Sequence, residues 1–465
     1  MKNTEETRKG LSARAKIILI VLAALLVVYL GGALFYHSRF LSGTVLNGHS
    51  VGGQKVEEVQ KNVENDLDAH TLQLIERKDQ TEEILAADID MKVELGDSVQ
   101  KALEEQNEFL WFTAFFKDIK VTLQPNVTYD EAKLTTVIDG LACFKKENIE
   151  KPVNAKIQLK DGEFVVIDEV YGTTVKKEEL TAAIQEALNT SQTKLDLEKA
   201  ACYKNPTIYA DDQEVKDALA EIERLRKVVV TYDFDYTTET VDKTLIDQWI
   251  SIDKKMKVSL NYDKVLDYIE ELAAKYDTYS TVRDFTNSYG NKVKVYFGSY
   301  GWKISQTKEA KQLIKVIKKG ESVKREPIYL FKAVCRKKGN IDWDGTYAEV
   351  SIQDQQMWYY KDGKCVLSSS VVTGDVTKGR STPKGAYSIM YKTRNATLSG
   401  QGYSSPVKYW MPFDTNVGFH DASWRGSFGG GIYRGNGSHG CVNMPSYNAA
   451  SLYEMIEPGC PVFVY

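Results

Sequence analysis

The sequence predicts an α+β multidomain chain: an N-terminal transmembrane helix, two repeated α/β modules and a C-terminal β-rich domain. Three observations carry this. Ile17 to Tyr36 is an uncharged, largely apolar run of twenty residues. One order of helical and alternating segments occurs twice in the middle of the chain. From residue 346 to the end, short alternating runs are separated by Gly, Pro, Asn and Asp. At 465 residues the chain exceeds one ordinary domain, and its length suggests about three folded units. A net charge of −4, with basic residues clustered only near the N-terminus, argues against a nucleic-acid partner.

Residues 1–16 form a basic tail, with Lys2, Arg8, Lys9, Arg14 and Lys16 against Glu5 and Glu6. The run 17–36 is long enough to cross a hydrocarbon core of about 30 Å as a helix. Positive residues stay on the cytoplasmic side, so the remainder faces outward, as in a single-pass protein of a cell membrane. A cleaved signal peptide competes, because Gly31-Gly32-Ala33 offers a small-x-small site. The apolar run continues through Leu34, Phe35 and Tyr36, which favours an uncleaved signal anchor. Either way the bulk of the chain is exported.

Residues 38–121 read as a membrane-proximal α/β region. Val56, Val59, Val63 and Leu67 share one helical face after the Gly52-Gly53 turn. The aromatic cluster Phe109, Leu110, Trp111, Phe112, Phe115 and Phe116 reads as core packing, in preference to a sugar-stacking or membrane-surface role.

The repeats follow, assigned to 122–215 and 216–336. Thr128-Tyr129-Asp130 opens a helical stretch, and Asn261-Tyr262-Asp263 opens its counterpart. An alternating strand then precedes Tyr171-Gly172 in one copy and Tyr300-Gly301 in the other. Each copy ends in an amphipathic helix, one burying Leu180, Ile184 and Leu188, the other Ala310, Leu313 and Ile317 before Gly320. Lys337-Lys338-Gly339-Asn340 marks the linker into the last domain. There Val350–Ile352, Met357–Tyr360, Val366–Ser368, Val371-Val372 and Pro461–Tyr465 read as strands. Asp362-Gly363 is a hairpin turn, and Ala449 to Ile456 a helix.

The chemistry concentrates between Val417 and Met444. His420 and His439, two of the five histidines, flank Cys441 in a Gly-rich polar turn. A thiol attacks as its thiolate, so it needs a base within reach and a field that stabilises negative sulfur. Cys441 is the candidate nucleophile and His420 the general base. His439, two residues before Cys441, points to the same side of an extended segment and tunes the thiolate or lines an oxyanion site. Gly440 lets the backbone bend, and its amide and that of Cys441 are candidate oxyanion donors. Asp421 is read either as orienting an imidazole or as a turn residue. Ser438 and Asn443 fix the turn, and Trp424 walls the pocket. No C-x-x-C occurs, and no fourth ligand supports a metal at His420, His439 and Cys441. Cys143, Cys202, Cys335, Cys365 and Cys460 are an odd remainder that cannot all pair within the chain.

His420, seventeen residues, and then Ser438-His439-Gly440-Cys441-Val442-Asn443 resembles the signature of the L,D-transpeptidases, the YkuD-type enzymes that cross-link bacterial peptidoglycan. His420-Asp421-Ala422-Ser423-Trp424-Arg425, the stretch from Ala348 to Lys364, Thr373-Gly374 and Thr382-Pro383-Lys384-Gly385 extend the resemblance from about residue 346 to the end. The two repeats, with Phe40 to Gly53 before them, resemble YoaR-type peptidoglycan-binding modules. They read equally as glycan binders and as spacers that hold the enzyme off the membrane.

The resemblance implies a β-rich, sandwich-like catalytic domain and a two-step reaction without metal or organic cofactor. Cys441 attacks the carbonyl of the third residue of a tetrapeptide donor stem and releases the terminal D-Ala as a thioester forms. The side-chain amine of a diamino acid on a neighbouring acceptor stem then makes a 3-3 cross-link. It also implies acylation of Cys441 by carbapenems. Alternatives are an L,D-carboxypeptidase, in which water resolves the thioester, and a non-catalytic wall-binding anchor. The serine transpeptidase class is set aside: Ser-x-x-Lys occurs several times, and Lys-Thr-Gly is absent. Tyr391 to Pro412, punctuated by Gly400, Gly402 and Pro406, is a candidate lid.

Overall fold

The structure, a computed structural model, describes residues 12–68, 70–123, 126–400 and 403–465. The basic residues up to Lys9, the side chain of Leu67, and Gly402 of the candidate lid lie outside the described residues. The chain divides into two compact units, 1–156 with 167–210, and 157–166 with 211–465.

The first unit begins with α1 (Ala13–Tyr36), capped by the Ser12 hydroxyl, which accepts from the Ala15 amide. Its mean hydropathy of 2.9 and its exposed side chains make it, among the described residues, the one helix long and apolar enough to cross a membrane. Beyond it, α2 (Val56–Asp68) turns Val59 and Val63 into a small core with Phe40 and Leu46. The aromatic cluster does not fill that core, against the sequence expectation. Two short 3-10 turns, Glu108–Leu110 and Thr113–Phe115, swing its rings outward, leaving Phe116 90% exposed. Trp111 folds back against α1, and Phe109 and Phe112 touch Tyr29 of that helix while staying exposed.

A second core in this unit joins the hairpin Thr71–Ile75 and Thr81–Leu85 to helices α3 (Glu131–Gly140) and α4 (Lys177–Asn189). The strand Lys194–Asp196 returns to pair in parallel with Thr71–Ile75. Residues 71–85, read in sequence as part of the 38–121 region, therefore share a sheet with the end of the first repeat. Glu82 at this hairpin accepts the amides of Ala142 and Cys143 at 2.6 and 3.0 Å. Burial, and then the hydrogen bond with Glu82, push the Glu76 carboxyl up to about 7. Folding thus holds a proton on Glu76 that the unfolded chain releases near 4.5. The stability this contributes is complete below pH 4.5 and is lost as pH rises through 7. Glu76→Gln imitates the protonated carboxyl, so its melting temperature should exceed that of the unsubstituted protein above pH 7, with the gap closing towards pH 4.5. A gap that widens on acidification would contradict this assignment.

The second unit repeats the arrangement. Val230–Asp233 pairs antiparallel with Thr238–Val241 and in parallel with Val323–Arg325. Over this sheet lie α5 (Gln213–Arg226), α6 (Lys243–Trp249), α7 (Tyr262–Tyr276) and α8 (Gln306–Lys319). Asn261 caps α7 through the Lys264 amide, and Gly320 closes α8 in the left-handed conformation at φ 81°.

The C-terminal domain follows within the same unit. One sheet runs β3-β2-β1-β9-β4, built from β1 (Tyr347–Ser351), β2 (Gln356–Lys361), β3 (Lys364–Ser370), β4 (Gly385–Ser388) and β9 (Pro461–Val464). Positive φ at Asp362 and Gly363 gives the β2–β3 hairpin its tight turn. The other sheet runs β5-β6-β7-β8: β5 (Thr393–Gly400), β6 (Tyr403–Asp414), β7 (Val417–Asp421) and β8 (Val442–Met444). Val350, Met357 and Tyr359 from the first sheet meet Met411, Phe419 and Val442 from the second in one buried cluster, closed by Ala449 and Leu452 of α9 (Ser446–Met455). The domain is therefore the expected two-layer, β-rich body. The candidate lid is the β5–β6 hairpin.

The second repeat is fastened to this domain. Glu349 of β1, fully buried, accepts from the Ser288 amide and hydroxyl at 3.0 and 2.7 Å. Gly298 lies so close to Ala386 that a Cβ there would sit 2.0 Å from its carbonyl oxygen, and the adjoining Phe297 carbonyl accepts the Ala386 amide. Asp342, just past the predicted linker, is buried with Arg283 and accepts from its Nε and a terminal nitrogen at 3.0 and 2.6 Å. Buried hydrogen bonds thus join the C-terminal domain to the second repeat.

Candidate active site

The site forms where β7 and β8 run in parallel. Their register sets Phe419 beside Val442 and His420 beside Asn443, so the segment carrying Cys441 enters next to the histidine strand. Cys441, His420, His439, Ser438, Asn443 and Trp424 all line one cavity of about 490 Å³. The β5–β6 hairpin contributes Thr397, Leu398, Ser399, Ser405 and Trp410 to the same cavity.

His420 is buried, and its Nδ1 lies 2.8 Å from the carbonyl oxygen of Asp421. A carbonyl only accepts, so Nδ1 carries the proton and Nε2 keeps its lone pair. Burial lowers the imidazole pKa below its usual 6.5, partly opposed by that hydrogen bond. Trp410 and Trp424 both pack near the ring, each with its centroid 6.0 Å away.

Cys441 is also buried, which pushes its thiol up to about 11, although the Gly418 amide opposes the shift by donating to sulfur. Its Sγ lies 3.5 Å from the Asn416 carbonyl. The resting pair is therefore neutral thiol and neutral imidazole.

The turn before the thiol is over-determined. The Ser438 hydroxyl donates to the Cys441 carbonyl at 2.5 Å and accepts the Gly440 amide at 3.0 Å. Gly440 sits at φ 125°, which favours glycine, and its carbonyl accepts from Thr382 at 2.7 Å. Thr382 in turn accepts the Gly374 amide. The expectation that Gly440 offers its amide to an oxyanion is thus corrected, because that N–H is taken by Ser438. The Asn443 backbone pairs with Val372, while its buried Oδ1 has no partner.

His439 is exposed, and Arg380 lies 2.6 Å from its Nε2. Arginine only donates, so Nε2 accepts and the ring is neutral; partial burial, then Arg380 and Lys378, lower its pKa. The Asp421 carboxylate neither orients an imidazole nor caps a turn. It accepts the Lys408 and Tyr409 amides at 2.7 and 2.9 Å, pinning β6 to β7, and only the Asp421 backbone carbonyl orients His420.

Sequence reasoning did not single out the roles of Arg380, Thr382, Trp410 and Arg425. Arg425 lines the cavity with a buried Nε that has no partner, while a terminal nitrogen donates to the Asn436 carbonyl. No carboxylate side chain lines the cavity among the described residues. Thr382 carried a signal, since it opens the Thr-Pro-x-Gly turn.

Residues 345–464 match the family model of the L,D-transpeptidase catalytic domain. Residues 82–196 and 210–324 match a model described as "Putative peptidoglycan binding domain". Among solved structures, an Enterococcus faecium L,D-transpeptidase bearing a cysteine-to-serine change is 35% identical, over 54% of this chain and 100% of its own, with a TM-score of 0.45. The chain belongs to the L,D-transpeptidase family. The assignment rests on the matched domain and on identity over the whole of that relative. The Ldtfm-avibactam carbamoyl enzyme is likewise 35% identical, over 54% of this chain and 98% of its own, with a TM-score of 0.45. The isolated catalytic domain of the E. faecium L,D-transpeptidase is 44% identical, over 26% of this chain and 98% of its own, with a TM-score of 0.25. No curated protein matches the chain. This L,D-transpeptidase-family enzyme thus carries its catalytic domain behind two matches to a wall-binding module.

Proposed function

We propose that the enzyme forms 3-3 cross-links between peptidoglycan stems, with Cys441 as nucleophile and His420 as general base. The observation that carries this is a buried thiol opening on the same cavity as an imidazole whose Nε2 is unprotonated. In the first step His420 Nε2 takes the thiol proton as Sγ attacks the carbonyl of the third stem residue. The C–N bond to D-Ala breaks, and His420 returns the proton to the leaving amine. The acceptor amine then attacks the thioester, His420 takes its proton, and the C–S bond breaks as that proton passes to the departing Cys441 sulfur. The Cys441 amide serves as an oxyanion donor, and the neutral His439 beside Arg380 borders the same site. Ser438 and Gly440 hold the turn rather than the substrate. Trp424 walls the donor cavity, and Asn443, with its unpartnered Oδ1, lines it beside Cys441.

The stem's carboxylates suit a cavity that presents Arg425 and no acidic side chain. The apolar helix α1 anchors the chain, with the repeats and the catalytic domain on the wall side. The repeats bring the enzyme to glycan or set its reach. Carbapenems, as strained amides, acylate Cys441.

Full-length protein incubated with a disaccharide-tetrapeptide that carries its acceptor amine should give a dimer lacking one D-Ala, absent with Cys441→Ala. Tripeptide without dimer would instead indicate L,D-carboxypeptidation, and no thiol-dependent product would overturn catalysis altogether.

A further inference from the structure

The phenylalanine rings of the aromatic segment stay exposed, while Trp111 and Ala114 pack with Tyr36 at the end of α1. Trp111 Nε1 donates to the Tyr29 carbonyl at 3.0 Å, and the Tyr29 hydroxyl donates to the Phe109 carbonyl at 2.9 Å. Trp111 stacks on Tyr36 with centroids 6.3 Å apart. The approach depends on Gly32: a Cβ there would lie 2.3 Å from the indole ring. A specific joint therefore fixes the segment's position along the helix.

That position is informative. The uncharged part of α1 ends at Tyr36, and the next residue, His37, faces Glu108 at 3.3 Å, which places ionisable groups at this level. Tyr29, the contact of Phe109 and Phe112, is two helical turns earlier, about 10 Å along the axis. Phe109, Phe112, Phe115 and Phe116 are 48%, 45%, 58% and 90% exposed. Four such rings on a water-facing surface would form a costly apolar patch. Here Phe109 and Phe112 touch Tyr29 of the apolar helix, and Phe115 meets Trp111 edge-on beside it.

We propose that residues 109–116 form a membrane-embedded collar, whose phenylalanine rings enter the outer leaflet beside α1 and set the height and tilt of the first unit above the bilayer. The partner is the lipid surface itself, contacted at the interfacial depth that aromatic side chains favour. The proposal rests on the reading of α1 as an uncleaved anchor. It assigns Gly32 and Trp111 as the joint between span and collar.

The test uses the full-length protein in phosphatidylglycerol and phosphatidylethanolamine vesicles containing a phospholipid with a photoactivatable diazirine. The diazirine sits either near the glycerol or at the acyl-chain end, and labelled peptides are mapped by mass spectrometry. The collar predicts labelling of 109–116 by the shallow probe, weaker labelling by the deep probe, and labelling of α1 by both. The triple variant Phe112→Ser, Phe115→Ser, Phe116→Ser should lose about tenfold of the shallow label at 109–116 and none at α1. Carbapenem acylation of Cys441 reports that the variant is folded. Labelled α1 with unlabelled 109–116 in the unsubstituted protein would overturn the collar and leave the anchor standing. No label on either would overturn the anchor reading and the collar with it.

Discussion

Replacing His420 with Gln is expected to slow acylation of Cys441 by about 10²–10⁴-fold. The thiol is pushed up to about 11, so at pH 7 its spontaneous thiolate fraction is about 10⁻⁴. Without a base, attack is confined to that fraction. With His420 as the proposed base, neutral because burial lowers its pKa, the proton would leave as sulfur attacks. Stopped-flow acylation by a carbapenem reads the effect directly. In the unsubstituted enzyme the rate should rise with pH through an apparent pKa below 6.5, as the imidazole loses its proton, and then level off. In His420→Gln that limb disappears, and the slow rate climbs steadily towards pH 11 as free thiolate accumulates. A variant within about threefold of the parent, with the same profile, would remove His420 from the role of base.

The largest stability effect is expected at Asp342. Its carboxylate is fully buried and accepts from Arg283 and from the Thr278 hydroxyl at 2.6 Å, while the Tyr300 hydroxyl donates to its backbone carbonyl. Asp342→Ala would leave the Arg283 guanidinium charged, buried and without its counter-ion, at a cost of about 3–5 kcal/mol. Arg283→Met combined with Asp342→Leu removes both charges and should recover most of that loss, since a buried pair is worth little against apolar groups of similar size. Urea unfolding of the three proteins measures this. A single variant within about 1 kcal/mol of the parent would show that water reaches the guanidinium. Because Asp342 ties the entry of the catalytic domain to the second repeat, its loss should also broaden the unfolding transition.

The parts legible in sequence were those governed by local chemistry. Asp362-Gly363 announced its turn because both residues adopt positive φ. The run from Ile17 to Tyr36 announced a helix, and the spacing from His420 to Cys441 announced residues that share a cavity. What sequence hid depended on distant partners. Thr71–Ile75 pairs with Lys194–Asp196 across more than a hundred residues, and no local pattern near residue 75 points there. The β5–β6 hairpin read as an irregular lid because its small and polar residues mask a two-stranded ladder. The rings of Phe109 to Phe116 looked like core, since composition alone does not distinguish a protein interior from a lipid-facing surface. Asp421 looked like a catalytic partner from its place beside His420. Side chains alternate along a strand, however, so its carboxylate turns to the amides of Lys408 and Tyr409.

The acyl-enzyme tests the account most directly. Full-length protein mixed with a disaccharide-tetrapeptide donor lacking an acceptor amine, quenched in acid within the first turnover and digested, should yield one modified peptide. The account predicts that the Cys441 peptide carries the donor minus its terminal D-Ala, with the other five cysteines unmodified. Product formed while Cys441 stays free, or an adduct that keeps the terminal D-Ala, would contradict it.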